Sequence, residues 1–161
     1  MCSSASKPWK YAESMASSRV IVLSGVNLNL LGQREPEVYG SMTLDDHLGL
    51  AGDAAKREGI TLEHVQANDT ATLVEAIQKA RGTAQGIIIN PGAFTHYAWS
   101  LHDALSAFDG FVIEVHLSQP QAREAWRHTS VIAPVADGTI SGFGRDTYPL
   151  AVSAMAALLK R

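Results

Sequence analysis

Short apolar runs alternate along this chain with segments in which apolar residues recur at helical spacing. Runs of strand length are predicted at 20–24, 60–66, 86–90, 111–117 and 130–135. Helical spacing is found at 43–58, 70–81, 95–108, 121–128 and 148–160. Strands that alternate with helices are typical of βαβ units, in which helices cover both faces of a parallel sheet.

The number of predicted strands narrows this α/β architecture to a flavodoxin-like fold, with a five-stranded parallel sheet and helices on both faces. Thr43 and Gly59 are suited to cap the two ends of the first long helix. Residues 1–18 are rich in Ser and Ala and show neither pattern, so we expect an extension outside the fold. Residues 19–161 are then expected to form a single domain.

Composition limits the classes of function. Hydrophobic residues make up 46% of the 161, enough for one domain with its own core. The 13 basic and 16 acidic residues are scattered, so no nucleic-acid partner is predicted. No apolar run approaches the ~20 residues that span a membrane, and the first residues lack the apolar core of a signal peptide. Cys2 is the only cysteine, which fits a reducing compartment, so we expect a cytoplasmic protein.

Unusual polar residues follow the first and third predicted strands. In a sheet of this kind, ligands bind beyond the carboxyl ends of the strands. The first connection is about eighteen residues long, against the usual 2–6, and it contains Asn27, Arg34 and Tyr39. Asn90 and His96 follow the third strand. Loops of such length at this edge are typically lids or binding loops.

The fourth predicted strand adds a second polar group at the same edge. Glu114, His116 and Ser118 are two residues apart, so they share one face of the strand. Arg123 and Arg127 follow, four residues apart, and are predicted on one face of a short helix. Taken singly, each of these residues has an ordinary structural explanation. Their convergence at neighbouring strand ends is what predicts a site.

Other polar residues carry no such signal. His47, His64 and His128 are not grouped with other candidate functional residues. They are expected on the surface or packed in the interior. No close pair of His or Cys ligands occurs, so no metal is predicted. The segment 142–144 is a lone Gly-x-Gly without the dinucleotide fingerprint, and no phosphate loop is present, so no cofactor is predicted. No lysine lies at a strand end, which argues against imine chemistry.

Several motifs together resemble one known family, the type II 3-dehydroquinate dehydratases. The resemblance runs in the family's order from residue 19 to the C-terminus. It rests on the segments 27–40, 89–96, 114–118 and 122–124, on Arg127 and on 142–144. It implies a lyase that converts 3-dehydroquinate to 3-dehydroshikimate, in the shikimate pathway of aromatic amino acid biosynthesis or in quinate catabolism. It also implies a flavodoxin-like fold and a homododecamer, a tetramer of trimers.

The resemblance also implies roles for the residues of the reaction. Tyr39 would be the base, with Arg34 as its activator. His116 would be the general acid, with Glu114 behind it. Asn27 would hold the water that stabilises the enolate. The chemistry agrees, because a free phenol is a weak base at neutral pH and a permanent cation beside it favours the phenolate.

The remaining family positions would bind substrate. Asn90, Ser118 and the backbone amides of Leu117 and Ser118 would hold the substrate carboxylate. His96 and Arg127 would hold ring hydroxyls.

Two more positions and three departures complete the comparison with the family pattern. Arg123 would help set the charge around Tyr39, and Asp103 matches a position that reaches toward the neighbouring subunit of a trimer. Val26 stands where proline is usual, Gln121 replaces a usual histidine, and Trp126 replaces a usual phenylalanine. None of these departures removes a residue with a role in the reaction, so we expect them to affect the rate and the stability of the loop more than the activity itself.

Three alternatives stay open at this point. A flavodoxin-like protein that binds flavin or nucleotide would purify with a coloured or purine-absorbing ligand. A non-catalytic small-molecule-binding relative would bind substrate without turnover. A dehydratase for a related cyclic hydroxy-acid would act on a different compound.

Overall fold

The computed structural model describes residues 17–161, and the expected extension at 1–18 lies almost wholly outside them. A single parallel sheet has the strand order β2-β1-β3-β4-β5. This order is the flavodoxin-like one, so the predicted fold class is confirmed. Its strands are β1 (Ser18–Ser24), β2 (Ile60–Gln66), β3 (Gly86–Asn90), β4 (Phe111–His116) and β5 (Gly138–Ser141).

Among residues 17–161, the first α-helix lies in the long first connection, where none was predicted, and the other four overlap predicted helical segments with shifted ends. The helices are α1 (Pro36–Tyr39), α2 (Leu44–Glu58), α3 (Thr70–Ala80), α4 (Trp99–Ser106) and α5 (Thr147–Leu159). Thr43 caps α2 through a reciprocal pair of hydrogen bonds with Asp46, and Gly59 ends it with a left-handed φ of 69°. Both caps were predicted. Within residues 17–161, no helix is both long and apolar enough to cross a membrane.

Two apolar layers cover the sheet. The α2/α5 layer packs on one face, where it meets side chains such as Val22, Ile88 and Val115. The α3/α4 layer packs on the other face, against Leu23, Ile89 and their neighbours. Side chains two residues apart on a strand face the same layer. Ser24 and Asn90 therefore face the α2/α5 layer, and Glu114 faces the α3/α4 layer.

The prediction of a fifth strand at 130–135 is wrong. This segment is a loop that ends in a 3-10 turn at Ala133–Val135, and the strand is β5 at Gly138–Ser141. The Ser130 hydroxyl accepts the N–H groups of Ile132 and Ala133 at 3.0 and 2.9 Å, so they do not join a sheet ladder. The apolar pattern arose because Val131 and Ile132 are buried in the core.

Two predicted helices are also shorter than expected. The segment 95–108 begins as a 3-10 turn at Gly92–His96, and α4 starts only at Trp99. The segment 121–128 is two 3-10 turns separated by an extended Arg123 (φ −112°, ψ −160°). Arg123 and Arg127 are therefore not on one helix face, and the loop conformation decides where each side chain points.

Candidate active site

A cleft opens at the carboxyl edge of the sheet, where a flavodoxin-like fold binds ligands. It holds about 760 Å³ of empty space, including the solvent at its mouth. Most of the residues singled out from the sequence line it. These are Asn27, Arg34, Tyr39, Asn90, His96, His116, Leu117, Ser118, Arg123 and Arg127.

Tyr39 lies between two guanidinium groups. The short helix α1 carries it, between the left-handed residues Glu35 and Gly40. Arg123 Nη1 donates to Tyr39 Oη at 2.6 Å, while Arg34 lies with its Cζ 5.3 Å from the ring centroid. Arg34 Nη2 bonds Glu35 Oε2 at 2.9 Å, and Glu35 Oε1 is 3.8 Å from Arg123 Nη2. The phenol oxygen thus bonds directly to the arginine that follows β4.

His116 is fixed from behind by a buried carboxylate. Its Nε2 lies 2.7 Å from Glu114 Oε1, and Glu114 has no exposed surface. Thr95 and Ser130 donate hydroxyl hydrogen bonds to the same carboxylate. Burial raises the pKa of Glu114, but the hydrogen bonds and charge of His116 and the two hydroxyls outweigh it, so the pKa is lowered. Glu114 is therefore a carboxylate that orients the imidazole.

At the floor of the cleft, the backbone that follows β1 lies in close contact with the backbone that follows β3. Gly25 N donates to Asn90 O at 2.8 Å. A Cβ on Gly25 would lie 2.1 Å from the carbonyl oxygen of Pro91, so only glycine fits. Asn90 is buried, and its Oδ1 accepts the Gly92 N–H at 3.3 Å. This bond directs the carbonyl of the Asn90 amide and leaves its NH₂ group for the cleft.

Asn27 begins the long loop in a left-handed conformation, with φ of 65°. Its backbone N–H donates to Asn68 Oδ1 at 2.9 Å, which ties the loop to the end of β2. The proline that is usual at position 26 would fix the backbone φ angle there. In this chain Val26 leaves that angle free, but the bond from Asn27 to Asn68 restrains the same turn.

The far wall of the cleft is formed by His96 and Arg127. His96 Nδ1 donates to the Thr129 carbonyl at 2.7 Å, which leaves Nε2 for a ligand. Arg127 Nε donates to Glu124 Oε2 at 2.6 Å, and its guanidinium stacks 4.0 Å from the centroid of Trp126. Trp126 also meets the edge of the His96 ring at 5.1 Å, so this wall is one packed unit.

Two predicted residues lie apart from the cleft. Glu114 is behind His116, and Asp103 is exposed on α4. Sequence reasoning missed Thr95 and Ser130, because hydroxyls in loops give no signal until the fold brings them to Glu114. Among residues 17–161, the His, Cys, Asp and Glu side chains form no cluster of three suited to a metal ion.

The sequence profile of a family described as dehydroquinase class II matches residues 18–156. The chain belongs to the class II dehydroquinase family. The match covers both sides of the cleft, from β1 into α5, so the family predicted from the motifs is confirmed.

Members of this family are similar along most of their length. The 3-dehydroquinate dehydratase of Roseiflexus castenholzii is 51% identical over 134 residues, 83% of this chain and 85% of that protein. The one from Dictyoglomus turgidum is 52% identical over 137 residues, 85% of this chain and 94% of that protein. The crystal structure of type II dehydroquinase from Propionibacterium acnes aligns with a TM-score of 0.84 and 37% identity, over 89% of this chain and 99% of that one.

Proposed function

We propose that this chain is a hydro-lyase that removes water from 3-dehydroquinate to give 3-dehydroshikimate. The single observation that carries the proposal is the pairing of a Tyr39 phenol held by arginine with a carboxylate-backed His116 across one cleft. A base and an acid are the two groups that an elimination next to a ketone requires.

Tyr39 is the base of the proposed reaction. Its phenolate takes a proton from the carbon next to the ketone, and the electron pair moves onto the carbonyl oxygen to give an enolate. Two permanent cations, Arg123 and Arg34, flank the ring and stabilise the phenolate charge. Asn27, at the mouth of the cleft, holds the water that stabilises the enolate oxygen.

His116 is the acid of the second step. The enolate re-forms the ketone, a carbon–carbon double bond forms, and the hydroxyl on the next carbon leaves. His116 gives that hydroxyl its proton, so the group departs as water. Glu114 holds Nε2, which leaves Nδ1 to act on the substrate, and its charge stabilises the imidazolium that begins the step. Solvent then returns the proton of Tyr39 to His116.

The other lining residues bind the substrate in this proposal. The Asn90 amide, the Ser118 hydroxyl and the backbone N–H groups of Leu117 and Ser118 hold its carboxylate. His96 Nε2 and Arg127 hold its ring hydroxyls. These assignments fit a cleft lined by three arginines, Arg34, Arg123 and Arg127, as an anionic substrate requires.

The test follows the absorbance of the conjugated enone product when purified protein meets 3-dehydroquinate. We expect wild-type turnover and a loss of about 10²–10⁴ in kcat for Tyr39→Phe, the range that a general base contributes. Tyr97→Phe is the matched control, because Tyr97 is exposed at 59% and does not line the cleft. It is expected to leave kcat unchanged.

Each other outcome has a definite meaning. Turnover that survives Tyr39→Phe keeps the function and rejects Tyr39 as the base. Binding of 3-dehydroquinate without turnover indicates a non-catalytic binding relative. Turnover only with another cyclic hydroxy-acid changes the substrate and keeps the reaction class.

We also propose that the enzyme assembles as a homododecamer of four trimers, with Asp103 directed to the adjacent subunit. Support comes from Trp99, a large apolar side chain that is exposed at 62% on α4, the same helix that carries the exposed Asp103. Light scattering on a sizing column measures the mass. A monomer with full activity contradicts the assembly and the role of Asp103.

Two further proposals concern the whole chain. The catalytic domain comprises residues 19–161, and support comes from the family match over residues 18–156 and from α5, which continues the fold to Leu159. Removal of residues 1–16 is then expected to leave kcat unchanged. We further propose that the enzyme acts in the cytoplasm, and cell fractionation measures this.

A further inference from the structure

The loop that carries Asn27 begins with a tight turn. Leu28 N donates to Gly25 O at 3.3 Å, which closes a β-turn of four residues. Asn27 occupies the third position with φ of 65° and ψ of 2°, and Val26 before it is not left-handed, so the turn is of type II. The geometry of this one turn sets the direction in which the Asn27 side chain leaves the backbone.

The sequence of the turn does not fix its geometry. Proline is favoured at the second position of a type II turn, because its ring fixes φ at about −65°. Val26 occupies that position in this chain. On one side the turn lies against the chain that follows β3, where a Cβ on Gly92 would be 2.7 Å from Val26 O. The restraint on the other side has to come from neighbouring side chains.

Two amide side chains at the end of β2 supply this restraint. Asn68 Oδ1 accepts the Asn27 N–H at 2.9 Å. Gln66 Nε2 donates to the same Oδ1 at 3.2 Å and to Gly25 O at 3.3 Å. Because Gln66 is the register partner of Ser24, the pairing of β1 with β2 determines where the two amides lie. The turn is thus bonded at its first and third residues by side chains that do not line the cleft.

The chemistry of these bonds defines what position 68 must provide. A backbone N–H and an amide NH₂ group both donate, so the side chain at 68 has to offer an acceptor oxygen. Aspartate would offer the same oxygen at the same place. Leucine has nearly the same shape but offers none, so the two substitutions separate the bond from the space that the side chain fills.

We propose that Asn68 is a positioning residue for the dehydration: its Oδ1 holds the Asn27 turn, in place of a proline at position 26, so that the Asn27 side chain keeps its water at the enolate oxygen. The inference rests on the proposed function, because it requires Asn27 to hold that water. The enolate charge develops only as the proton is removed. A displaced Asn27 therefore slows the reaction without weakening the binding of substrate.

The test compares kcat and KM for 3-dehydroquinate in the full chain. Asn68→Leu is expected to lower kcat about fivefold to tenfold, the equivalent of one lost hydrogen bond, while KM changes less than about twofold. Asn68→Asp is expected to keep kcat within about twofold of wild type. An unchanged kcat in Asn68→Leu overturns the proposal, and so does an equal loss in Asn68→Asp.

Asp69→Leu is the matched control. Asp69 Oδ1 accepts the Thr72 N–H at 2.8 Å, so the variant removes a bond of the same kind from the adjacent residue, but at the start of α3. It is expected to lower the melting temperature and to leave kcat unchanged. A loss of kcat equal to that of Asn68→Leu would show a general effect of stability and overturn the proposal.

A second-site change tests whether the bond takes the place of proline. Val26→Pro, added to Asn68→Leu, is expected to restore kcat to within about twofold of Val26→Pro alone, because the ring then restrains the turn. A kcat that stays low in the double variant contradicts the proposal. If Asn68→Leu does not fold, Asn68→Ala replaces it throughout with the same expectations.

A double-mutant cycle shows whether Asn68 acts through Asn27. Asn27→Ala alone is expected to lower kcat, and the addition of Asn68→Leu is expected to lower it no further. Additive losses contradict action through Asn27.

Failure of the inference and failure of the proposed function give different results. Wild-type protein without turnover removes the proposed function. A normal kcat in Asn27→Ala removes the role of Asn27. Normal wild-type turnover, a lowered kcat in Asn27→Ala and an unaffected Asn68→Leu remove the role of Asn68 alone.

Discussion

The two faces of the sheet both bury polar side chains beneath the cleft, but they pair them differently. On the α3/α4 face, the charged Glu114 is bonded by Thr95, His116 and Ser130. On the α2/α5 face, His47 and Tyr148 are neutral and buried, and their polar atoms have no hydrogen-bond partner within residues 17–161.

The difference follows from charge. An unpaired carboxylate in the interior destabilises a protein by several kcal/mol, so the fold surrounds Glu114 with donors. An unpaired neutral group destabilises it by about 1–3 kcal/mol, which the apolar contacts around it can offset. The bonded network is thus expected to be rigid, whereas His47 and Tyr148 are positioned by packing, including the contact between their own rings, whose centroids are 6.1 Å apart.

The largest effect is expected from Glu114→Ala. The change leaves the donors of Thr95, Ser130 and His116 without their acceptor, so the free energy of unfolding should fall by about 3 kcal/mol. The kcat should fall by about 10²-fold, because His116 loses its orientation. Urea unfolding and the enone assay measure the two effects. A variant with normal kcat would show that His116 does not depend on the carboxylate.

Ser130→Ala tests whether the network depends on its hydroxyl. Ser130 donates to both Glu114 oxygens at 2.9 Å and accepts two backbone N–H groups. Its loss should lower the free energy of unfolding by about 2 kcal/mol. Ser141→Ala is the control, since Ser141 makes one exposed bond to Gln119, and it should change stability by less than about 0.5 kcal/mol. Equal losses of unfolding free energy in the two variants would mean that the buried bonds of Ser130 add nothing to stability.

Acid should affect the two faces in different pH ranges. The pKa of Glu114 is lowered by folding, so its stabilisation is present above its unfolded value near ~4.3 and is lost as pH falls through the folded pKa. Burial lowers the pKa of His47, and nearby Asp46 only partly opposes this. Protonation below pH ~6.5 therefore favours the unfolded state.

His47→Leu should give the smallest change. Stability at pH 7 should rise by at most about 1 kcal/mol, because two unpaired nitrogens are removed. The decline in stability from pH ~6.5 to ~5 should become shallower than in wild type. His64, whose pKa is also lowered by burial, contributes in the same range and remains in both proteins. Parallel pH profiles would show that His47 is not the titrating group.

Sequence patterns predicted the strands that are buried on both faces, because burial leaves a clear apolar run in the sequence. The strand β3 is a continuous apolar run because both its faces are covered, and it was found as predicted. The edge strand β5 is short and half exposed, so its pattern is weak. Val131 and Ile132 imitated a strand, because core burial without a sheet ladder gives the same apolar signal.

The part of the site that lies at the strand ends was predictable from the sequence. Residues that end β3 and β4, such as Asn90 and His116, lie at the cleft as their position required. Loop geometry was not predictable, because tertiary contacts set it. The direct bond from Arg123 to Tyr39, rather than one from Arg34, depends on two loops that meet across 84 residues of chain. The catalytic roles of these residues stay predictions.

The close approach of Gly25 to Pro91 has a consequence for how this site can diversify. With their backbones in contact, the β1 and β3 ends of the cleft behave as one unit that no single side chain can widen. New ligand preferences must then arise from the loop that carries Tyr39 or from the wall after β4. A library that randomises those two segments samples new specificities, whereas one directed at position 25 yields mostly misfolded chains.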